Sequence, residues 1–319
     1  MSLFVRTVAG DIDVAQLGVC YAHEHVIIDP SFTTHLFPEF CIDSVDAACT
    51  ELLAFHACGG RAMIDCMPCD SGRNALKLAE VSRRTGVHIV APTGLHLQKY
   101  YTPGHWSTRL SAEELARLFI DDIEIGIDRN DYAGPEVDRT TIRAGVIKIA
   151  AGLGHLSDYE KKIFRAAAQA HVKTGCPVIT HTDEGTAGIE QLDVLISNGV
   201  DPRHITLSHT DRKPDLEYHR ALLRRGAGLE YDSAFRWKEG QGNPTLDLVC
   251  QLLPEFPSQI MLGMDAARGT YWSSYGGKPG LTFLLTTFKQ SLLSRGLTDT
   301  QWEKIVVENP ARYFSFAAH

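Results

Sequence analysis

Short apolar runs alternate along the chain with longer segments whose apolar residues recur at helical spacing. This alternation is typical of βα units and of a parallel sheet. The apolar runs predict strands over residues 19–25, 61–66, 87–91, 145–150, 177–180, 205–208, 228–231 and 260–263. The segments between them predict helices over residues 43–58, 74–84, 111–127, 158–174, 189–197, 216–225 and 246–253. Two last helices are predicted over residues 283–295 and 300–307, closing the chain before Asn309-Pro310.

Two of these helices begin with a capping box, formed by Ser111 with Glu114 and by Ser157 with Glu160. Eight predicted strands that alternate with helices in 319 residues predict an α/β fold, a (β/α)8 barrel. No repeat or linker divides the chain, so we expect a single domain over residues 1–319. A doubly wound open sheet is the alternative, but no glycine-rich phosphate fingerprint follows the first strand.

The charge balance and the apolar runs narrow the classes of function. The formal net charge is -8, from 31 Lys and Arg against 39 Asp and Glu, which argues against nucleic acid or an anionic membrane as partner. No apolar run is long enough to span a bilayer, and the first residues lack a secretory pattern. We therefore expect a cytoplasmic protein that acts on a small molecule.

Histidines occur at the end of the first predicted strand. Side chains alternate between the two faces of a strand, so His23 and His25 point the same way and Glu24 points opposite. Two imidazoles at one strand end can reach a single metal ion. A His-x-His pair is short, and its alternative interpretation is two ordinary, partly buried histidines.

Further polar side chains lie at the ends of other predicted strands, which converge on one face of such a barrel. They are Lys148, His181, His209 and Asp265. Imidazoles and a carboxylate are ligands for divalent cations such as zinc or manganese. Lys148 lies in an apolar strand, where an unpaired ammonium is costly to bury. It is either paired with a buried acid such as Asp265, or modified so that it offers anionic oxygens between two cations.

These motifs together resemble the phosphotriesterase family of the amidohydrolase superfamily. The resemblance covers nearly the whole chain and rests on the following segments: His23-x-His25, Gly145-Val146-Ile147-Lys148, Thr180-His181-Thr182, Ser208-His209, Leu262-Gly263-Met264-Asp265, Gly72-Arg73-Asn74 and Glu308-Asn309-Pro310. It implies a distorted (β/α)8 barrel with two divalent metal ions, zinc first, with manganese or cobalt as alternatives. It makes a homo-oligomer plausible.

The resemblance also implies a ligand set. His23, His25 and Asp265 would hold the first metal, and His181 and His209 the second. Lys148, carbamylated by CO2, would bridge the two; some relatives carry Glu at this position, and this chain keeps Lys. A hydroxide bridging the metals would be the nucleophile, and Asp265 would be the catalytic residue that handles its proton.

Cationic and phenolic side chains in the predicted loops indicate an anionic substrate. Arg268 offers a fork of donors suited to phosphate or carboxylate, and its alternative role is to brace a loop carboxylate. The other candidate substrate contacts are Tyr271, Arg236, Lys238, Tyr100 and Tyr101.

The function that these features predict is hydrolysis of a lactone or ester, with a lactone of a phosphorylated sugar as the favoured substrate. The branch of the family that hydrolyses such lactones has a similar arrangement. Two alternatives are a broad carboxylesterase or organophosphate triesterase of the same family, and a non-catalytic binding protein on the same barrel.

Overall fold

The computed structural model describes residues 3–237, 240 and 242–317. Two strands form an N-terminal antiparallel hairpin, β1 (Phe4–Thr7) and β2 (Gly10–Asp13). Nine further strands are parallel to their neighbours: β3 (Cys20–Glu24), β4 (Ala62–Asp65), β5 (His88–Val90), β6 (Pro92–Gly94), β7 (Val146–Ala151), β8 (Val178–Thr182), β9 (Ile205–Ser208), β10 (Gly228–Tyr231) and β11 (Ile260–Leu262).

The parallel strands form a closed barrel. One run has the order β3-β4-β5 and the other the order β11-β10-β9-β8-β7-β6. β5 lies within the strand predicted over residues 87–91, and β6 follows it outside that range, after Ala91, whose carbonyl accepts the amide N–H of Gly145. The barrel closes where the amides of Met264 and Asp265 donate to the carbonyl of His23. The predicted (β/α)8 barrel is therefore confirmed, and the open sheet is excluded.

The helices lie on the outside of the barrel, as in other βα folds. Those between the strands are α1 (Phe32–Leu36), α2 (Val45–Ala57), α3 (Ala75–Thr85), α4 (Ala112–Glu124), α5 (Asp158–Thr174), α6 (Gly188–Ser197), α7 (Leu216–Leu223) and α8 (Pro244–Leu252). Both predicted capping boxes are present, at the first turns of α4 and α5. None of the helices in the described ranges is long and apolar enough to cross a membrane.

The end of the chain differs from its prediction. A π-helical segment (Leu284–Phe288) leads into α9 (Lys289–Ser294), and α10 (Asp299–Glu303) continues through a second π-helical segment (Lys304–Glu308) into α11 (Asn309–Tyr313). The helix thus passes through Asn309-Pro310 instead of ending before it. Proline has no N–H to donate to the preceding turn, and a wider π turn accommodates that missing bond.

The hairpin β1–β2 was not predicted, because its strands are short and rich in polar residues. Its role is to cover the barrel at the end where the strands begin. Val5 is fully buried in a cluster with Ala62, Val146 and Tyr313, and Arg6 is paired with Asp11 at 2.6 Å. The interior of the barrel is thus filled with apolar side chains at this end, which leaves the opposite end for chemistry.

A buried arginine ties the loop after β4 to its neighbours. Arg73 donates through Nη1 to the carbonyl of Pro92 at 2.7 Å and to Asp122 Oδ2 at 3.0 Å, and through Nε to Asp131 at 2.8 Å. Gly72 precedes it with φ +106°, and a Cβ there would lie 2.6 Å from the carbonyl oxygen of Asp29. This close approach explains why the motif Gly72-Arg73 uses a residue without a side chain.

We expect Arg73→Met to lower the free energy of unfolding by about 3–5 kcal/mol, because it leaves the buried Asp122 carboxylate without its nearest cation. Urea denaturation followed by circular dichroism measures this loss. The control is Arg83→Met, whose partner Glu80 lies on the exposed surface of α3 and should contribute little. A similar stability for both variants would show that the Arg73 network does not hold the loops.

Candidate metal centre

His23 and His25 leave β3 on the face predicted for them. His23 Nε2 lies 3.7 Å and His25 Nε2 3.2 Å from the same atom, Asp265 Oδ1. Glu24 points the other way, and its carboxylate accepts the amide N–H groups of Met264 at 2.7 Å and Ala266 at 3.3 Å. The alternation of the strand therefore presents two imidazoles to the site, while Glu24 anchors the segment that carries Asp265.

The histidines of β8 and β9 reach the same place. The ring of His209 lies 4.6 Å from that of His23 and 4.5 Å from that of His181, measured between centroids. His209 and Asp265 have φ values of +63° and +47°, a left-handed conformation that is uncommon for residues with side chains. Each turns its side chain directly after a strand end. The structure thus brings together all of the predicted histidines and the predicted aspartate.

The imidazoles of His23, His181 and His209 are held in their neutral form. Burial, together with nearby Lys148 and His209, keeps the pKa of His23 well below its ordinary value. Burial and the neighbouring His209 do the same to the pKa of His181. Burial and Arg212 lower the pKa of His209 to about 4. A neutral imidazole has a nitrogen lone pair available, which is the form that binds a metal ion.

Lys148 lines the same cavity as these groups, and its amine has no acceptor among the described residues. Its side chain is 1% exposed, and no residue in the described part of the chain accepts a hydrogen bond from its Nζ. The pairing with Asp265 considered above is not present among the described ion pairs. A buried amine in this setting needs either neutralisation or an anionic partner.

Two carboxylates that sequence reasoning missed complete the cluster. Asp232 accepts a short hydrogen bond from His209 Nδ1, and Glu230 Oε2 lies 3.5 Å from His23 Nδ1. Burial and the nearby Asp232 raise the pKa of Glu230 well above its ordinary value. The signal for Glu230 was available, since an acid inside the apolar run 228–231 is as unusual as Lys148 in its own strand.

The donor set fits divalent cations. One donor atom from each of His23, His25 and Asp265 lies within 4.8 Å of the others, and the same holds for His23, His209, Glu230 and Asp232. The buried Nδ1 atoms of His23 and His25 and both carboxylate oxygens of Glu230 have no hydrogen-bond partner among the described residues. Neutral imidazoles, carboxylates and unpartnered donor atoms are the chemistry of a zinc-type site.

Two arginines contact Asp265. Arg212 Nη2 donates to Asp265 Oδ2 at 2.8 Å and also contacts Asp232 Oδ1 at 3.2 Å. Arg236 Nη2 donates to the carbonyl oxygen of Asp265 at 2.6 Å and to its Oδ2 at 3.0 Å. Although burial opposes it, Arg236 and the hydrogen bond from His25 hold the pKa of Asp265 well below its usual range. Asp265 is therefore an ionised carboxylate.

Four of the six predicted substrate contacts line the cavity of the site. Arg268, Tyr271, Tyr100 and Arg236 line the cavity above the histidines. Of the two arginines, Arg268 has the weaker ion pair. Its side chain is 42% exposed, and the carboxylate of Glu39 is 4.0 Å away, whereas Arg236 lies 3.0 Å from Asp265. Lys238 lies outside the described residues.

Tyr101 does not line the cavity, which corrects its prediction as a substrate contact. Its ring is buried, and its hydroxyl donates to the carbonyl of Cys69 at 3.0 Å and accepts the amide N–H of His96 at 2.7 Å. Tyr100 ends a 3-10 turn (Gln98–Tyr100) and Tyr101 follows it in an extended conformation, so the two consecutive side chains diverge. The sequence alone could not tell which of the two faces the site.

Comparison with known proteins gives consistent matches along the whole chain. The sequence model of the Phosphotriesterase family matches residues 3–314. The phospho-furanose lactonase of Mycoplasmopsis synoviae (strain 53) is 32% identical, over 98% of this chain and 92% of that protein. The crystal structure of a lactonase from Listeria monocytogenes superposes with a TM-score of 0.91 at 27% identity, over 99% of this chain and 100% of that one. The phosphotriesterase homology protein from Escherichia coli, solved with phosphate in its active site, has a TM-score of 0.85 at 31% identity, over 94% and 99% of the two chains.

We expect His209→Ala to weaken Zn²⁺ binding by more than about 100-fold, because loss of even a partner behind a ligand costs roughly 10- to 100-fold. Metal-free protein is titrated with Zn²⁺ against a chelating dye, and retained metal is measured by mass spectrometry. His35→Ala, which changes an exposed histidine of α1, is the control. Equal affinities for the two variants would exclude His209 as a ligand.

Proposed function

We propose that this chain, which belongs to the phosphotriesterase family, is a binuclear metal-dependent lactonase that opens the lactones of phosphorylated sugars. Three features support the proposal: the neutral histidine cluster, the buried amine of Lys148 and the cationic mouth of the cavity. The observation that carries it is Lys148, whose unpartnered Nζ lies beside two overlapping groups of metal-ligand atoms.

We assign the metal ligands as follows. His23, His25 and Asp265 would hold one ion, His181 and His209 would hold the second, and a modified Lys148 would supply oxygen ligands to both. Zn²⁺ suits imidazole and carboxylate donors, and Mn²⁺ or Co²⁺ would fit the same set. When bound, two such cations polarise a substrate carbonyl and make a nucleophilic water available near neutral pH.

Lys148 serves this site as a carbamate. Its ammonium first loses one proton, and the neutral amine then adds to CO2 and loses a second proton, so that a cationic side chain becomes an anion with two oxygens. The conversion removes the cost of a buried ammonium without an acceptor. It also places negative charge beside the neutral imidazoles of His23 and His181, which lack any charge to balance two divalent cations.

Asp265 is suited to move the proton of the reaction. Its carboxylate is ionised, lies 3.2 Å from His25 Nε2 and accepts from Arg212 at 2.8 Å. In that state it accepts the proton of the attacking water and returns it to the ring oxygen that leaves when the lactone opens. Arg236 fixes the backbone carbonyl of the same residue, which holds the carboxylate in place.

Arg268 binds the anionic group of the substrate. Its guanidinium lies over the ring of Phe40 at 5.1 Å and near that of Tyr271 at 6.0 Å, so its orientation is set by aromatic contacts rather than by a tight ion pair. This leaves its donors available to a phosphate. A relative named phospho-furanose lactonase, and a related structure holding phosphate in its active site, support that choice of substrate.

We expect Lys148→Ala to abolish lactone hydrolysis and to lower metal content, because the site loses its bridging anion. Short carboxylates such as propionate should restore part of the activity. Lys148→Glu is the matched control, since it keeps a carboxylate at this position and should retain both ions. Direct evidence is a carbamate carbon signal after exposure to ¹³CO2. An unmodified Lys148 amine in fully loaded protein would contradict the proposal.

We expect Arg268→Met to lower kcat/KM for phosphorylated lactones by about 100-fold, since loss of a charge-assisted contact costs a few kcal/mol and about 1.4 kcal/mol is tenfold. Neutral lactones and aryl esters should change little. Arg268→Lys, which keeps the charge and loses the fork of donors, should fall between the two. If charged and neutral substrates lose equally, Arg268 is structural; if only neutral esters and phosphotriesters react, the broader esterase is the correct function.

A further inference from the structure

The loop after β6 brings a further histidine, His96, to the metal centre. Its ring centroid lies 5.2 Å from that of His181 and 4.4 Å from that of Tyr100, and the residue lines the cavity. It is none of the proposed ligands, although it follows the end of β6 by only two residues. The proposed ligand set therefore does not explain why a histidine lies at this position.

The path of the backbone places His96 there. Gly94 pairs with Lys148 across β6 and β7 and has φ +105°, and a Cβ on it would lie 1.9 Å from the carbonyl oxygen of Lys148. Only glycine permits this approach. The chain consequently leaves the barrel directly against Lys148, and His96 follows two residues later.

Tyr101 fixes the backbone at the same point. Its hydroxyl accepts the N–H of His96 at 2.7 Å and donates to the carbonyl of Cys69 at 3.0 Å, so both capacities of the hydroxyl are used. The phenol ring stacks on His105 at 4.4 Å, and His105 is in turn bonded to Asp70 at 2.9 Å. Tyr101 thus acts on the site through His96.

One hydrogen bond sets the tautomer of His96. The backbone N–H of Leu97 donates to His96 Nδ1 at 2.7 Å, so Nδ1 carries a lone pair and the proton of the neutral ring is on Nε2. Within the described ranges, this bond to Nδ1 is the one hydrogen bond that the ring makes.

This arrangement differs from that of the proposed ligands. A metal ion needs a lone pair, and in His96 the lone pair of Nδ1 is already taken while Nε2 carries a proton. A neutral imidazole is also too weak an acid to deliver that proton. What remains is a fixed hydrogen-bond donor at the cavity beside His181, and a preorganised donor of this kind stabilises negative charge that develops during the reaction.

We propose that His96 is a substrate-binding residue that donates its Nε2–H to an oxygen of the scissile ester group, and that Tyr101 positions it. The proposal rests on the lactonase function inferred above. It gives a role to a donor fixed by two hydrogen bonds, one from the backbone N–H of His96 to Tyr101 and one from the N–H of Leu97 to Nδ1.

The kinetic test compares two substitutions at this position. Glutamine places an amide N–H close to the position of Nε2, whereas leucine keeps the bulk and has no donor. We expect His96→Leu to lower kcat by about 100-fold, as for loss of one oxyanion donor, and His96→Gln to stay within about tenfold of wild type. Tyr101→Phe should cost less, and should cost nothing further in the His96→Leu background.

Two measurements distinguish a substrate-binding His96 from a metal ligand and from a general acid or base. The metal content of His96→Leu should equal that of wild type, because a ligand would be lost with metal. Its pH–rate profile should keep both limbs, because a general acid or base would remove one. Equal losses for His96→Leu and His96→Gln, lost metal, or a missing limb would each overturn the proposal.

The tautomer can be read without any substrate. In ¹⁵N NMR of the metal-loaded protein, assigned by difference from His96→Gln, the His96 signals should show a protonated Nε2 and an unprotonated Nδ1 at neutral pH. The reverse tautomer, or an imidazolium, overturns the proposal. A wild-type protein that hydrolyses aryl esters but no lactone overturns the lactonase function alone, and the two substitutions are then compared on the aryl ester.

Discussion

Burial of Lys148 is the constraint on which the rest of the site depends. Its side chain is 1% exposed, and no described residue accepts a hydrogen bond from its Nζ. A cation placed there without an acceptor is expensive, so the amine must be neutralised or given an anionic partner. The same burial is the first cause of the lowered pKa values of His23, His96 and His181, because a buried site disfavours the charged imidazolium.

The carboxylates divide into two kinds around this centre. Asp265 and Asp232 are held ionised by contacts with arginine and histidine, while burial favours the protonated form of Glu230. This division follows from the placement of cations, since Arg212 contacts both aspartates and Glu230 has no hydrogen-bond donor among the described residues. Neighbouring protein groups thus set the charge state of each carboxylate before any metal binds. Asp265, the ionised carboxylate beside His25, is the one suited to proton transfer.

Buried polar groups attach the loops at the entrance of the cavity to the barrel. Glu51 of α2 accepts the amides of Ser274 and Leu281 at 2.9 and 2.8 Å, which holds the segment that follows Arg268. Tyr101 does the same for the loop of His96. Buried acceptors of this kind fix a loop in one conformation, because an alternative conformation would leave a carboxylate or an amide unpaired.

The sequence by itself determined the barrel and the proposed metal ligands, because both follow from local order. Alternation within one strand brings His23 and His25 to one face, and parallel strands bring the residues after them, His181, His209 and Asp265, to one edge. The tertiary structure decided what depends on contacts between distant segments. These are the hydrogen bond of Glu24 with Met264, 240 positions away, and the contact of Arg236 with Asp265. The tertiary structure also decided that Tyr101 points away from the cavity that Tyr100 lines. Neighbouring residues of a loop have no fixed periodicity, so only the packed fold determines which of them faces the site and which supports it.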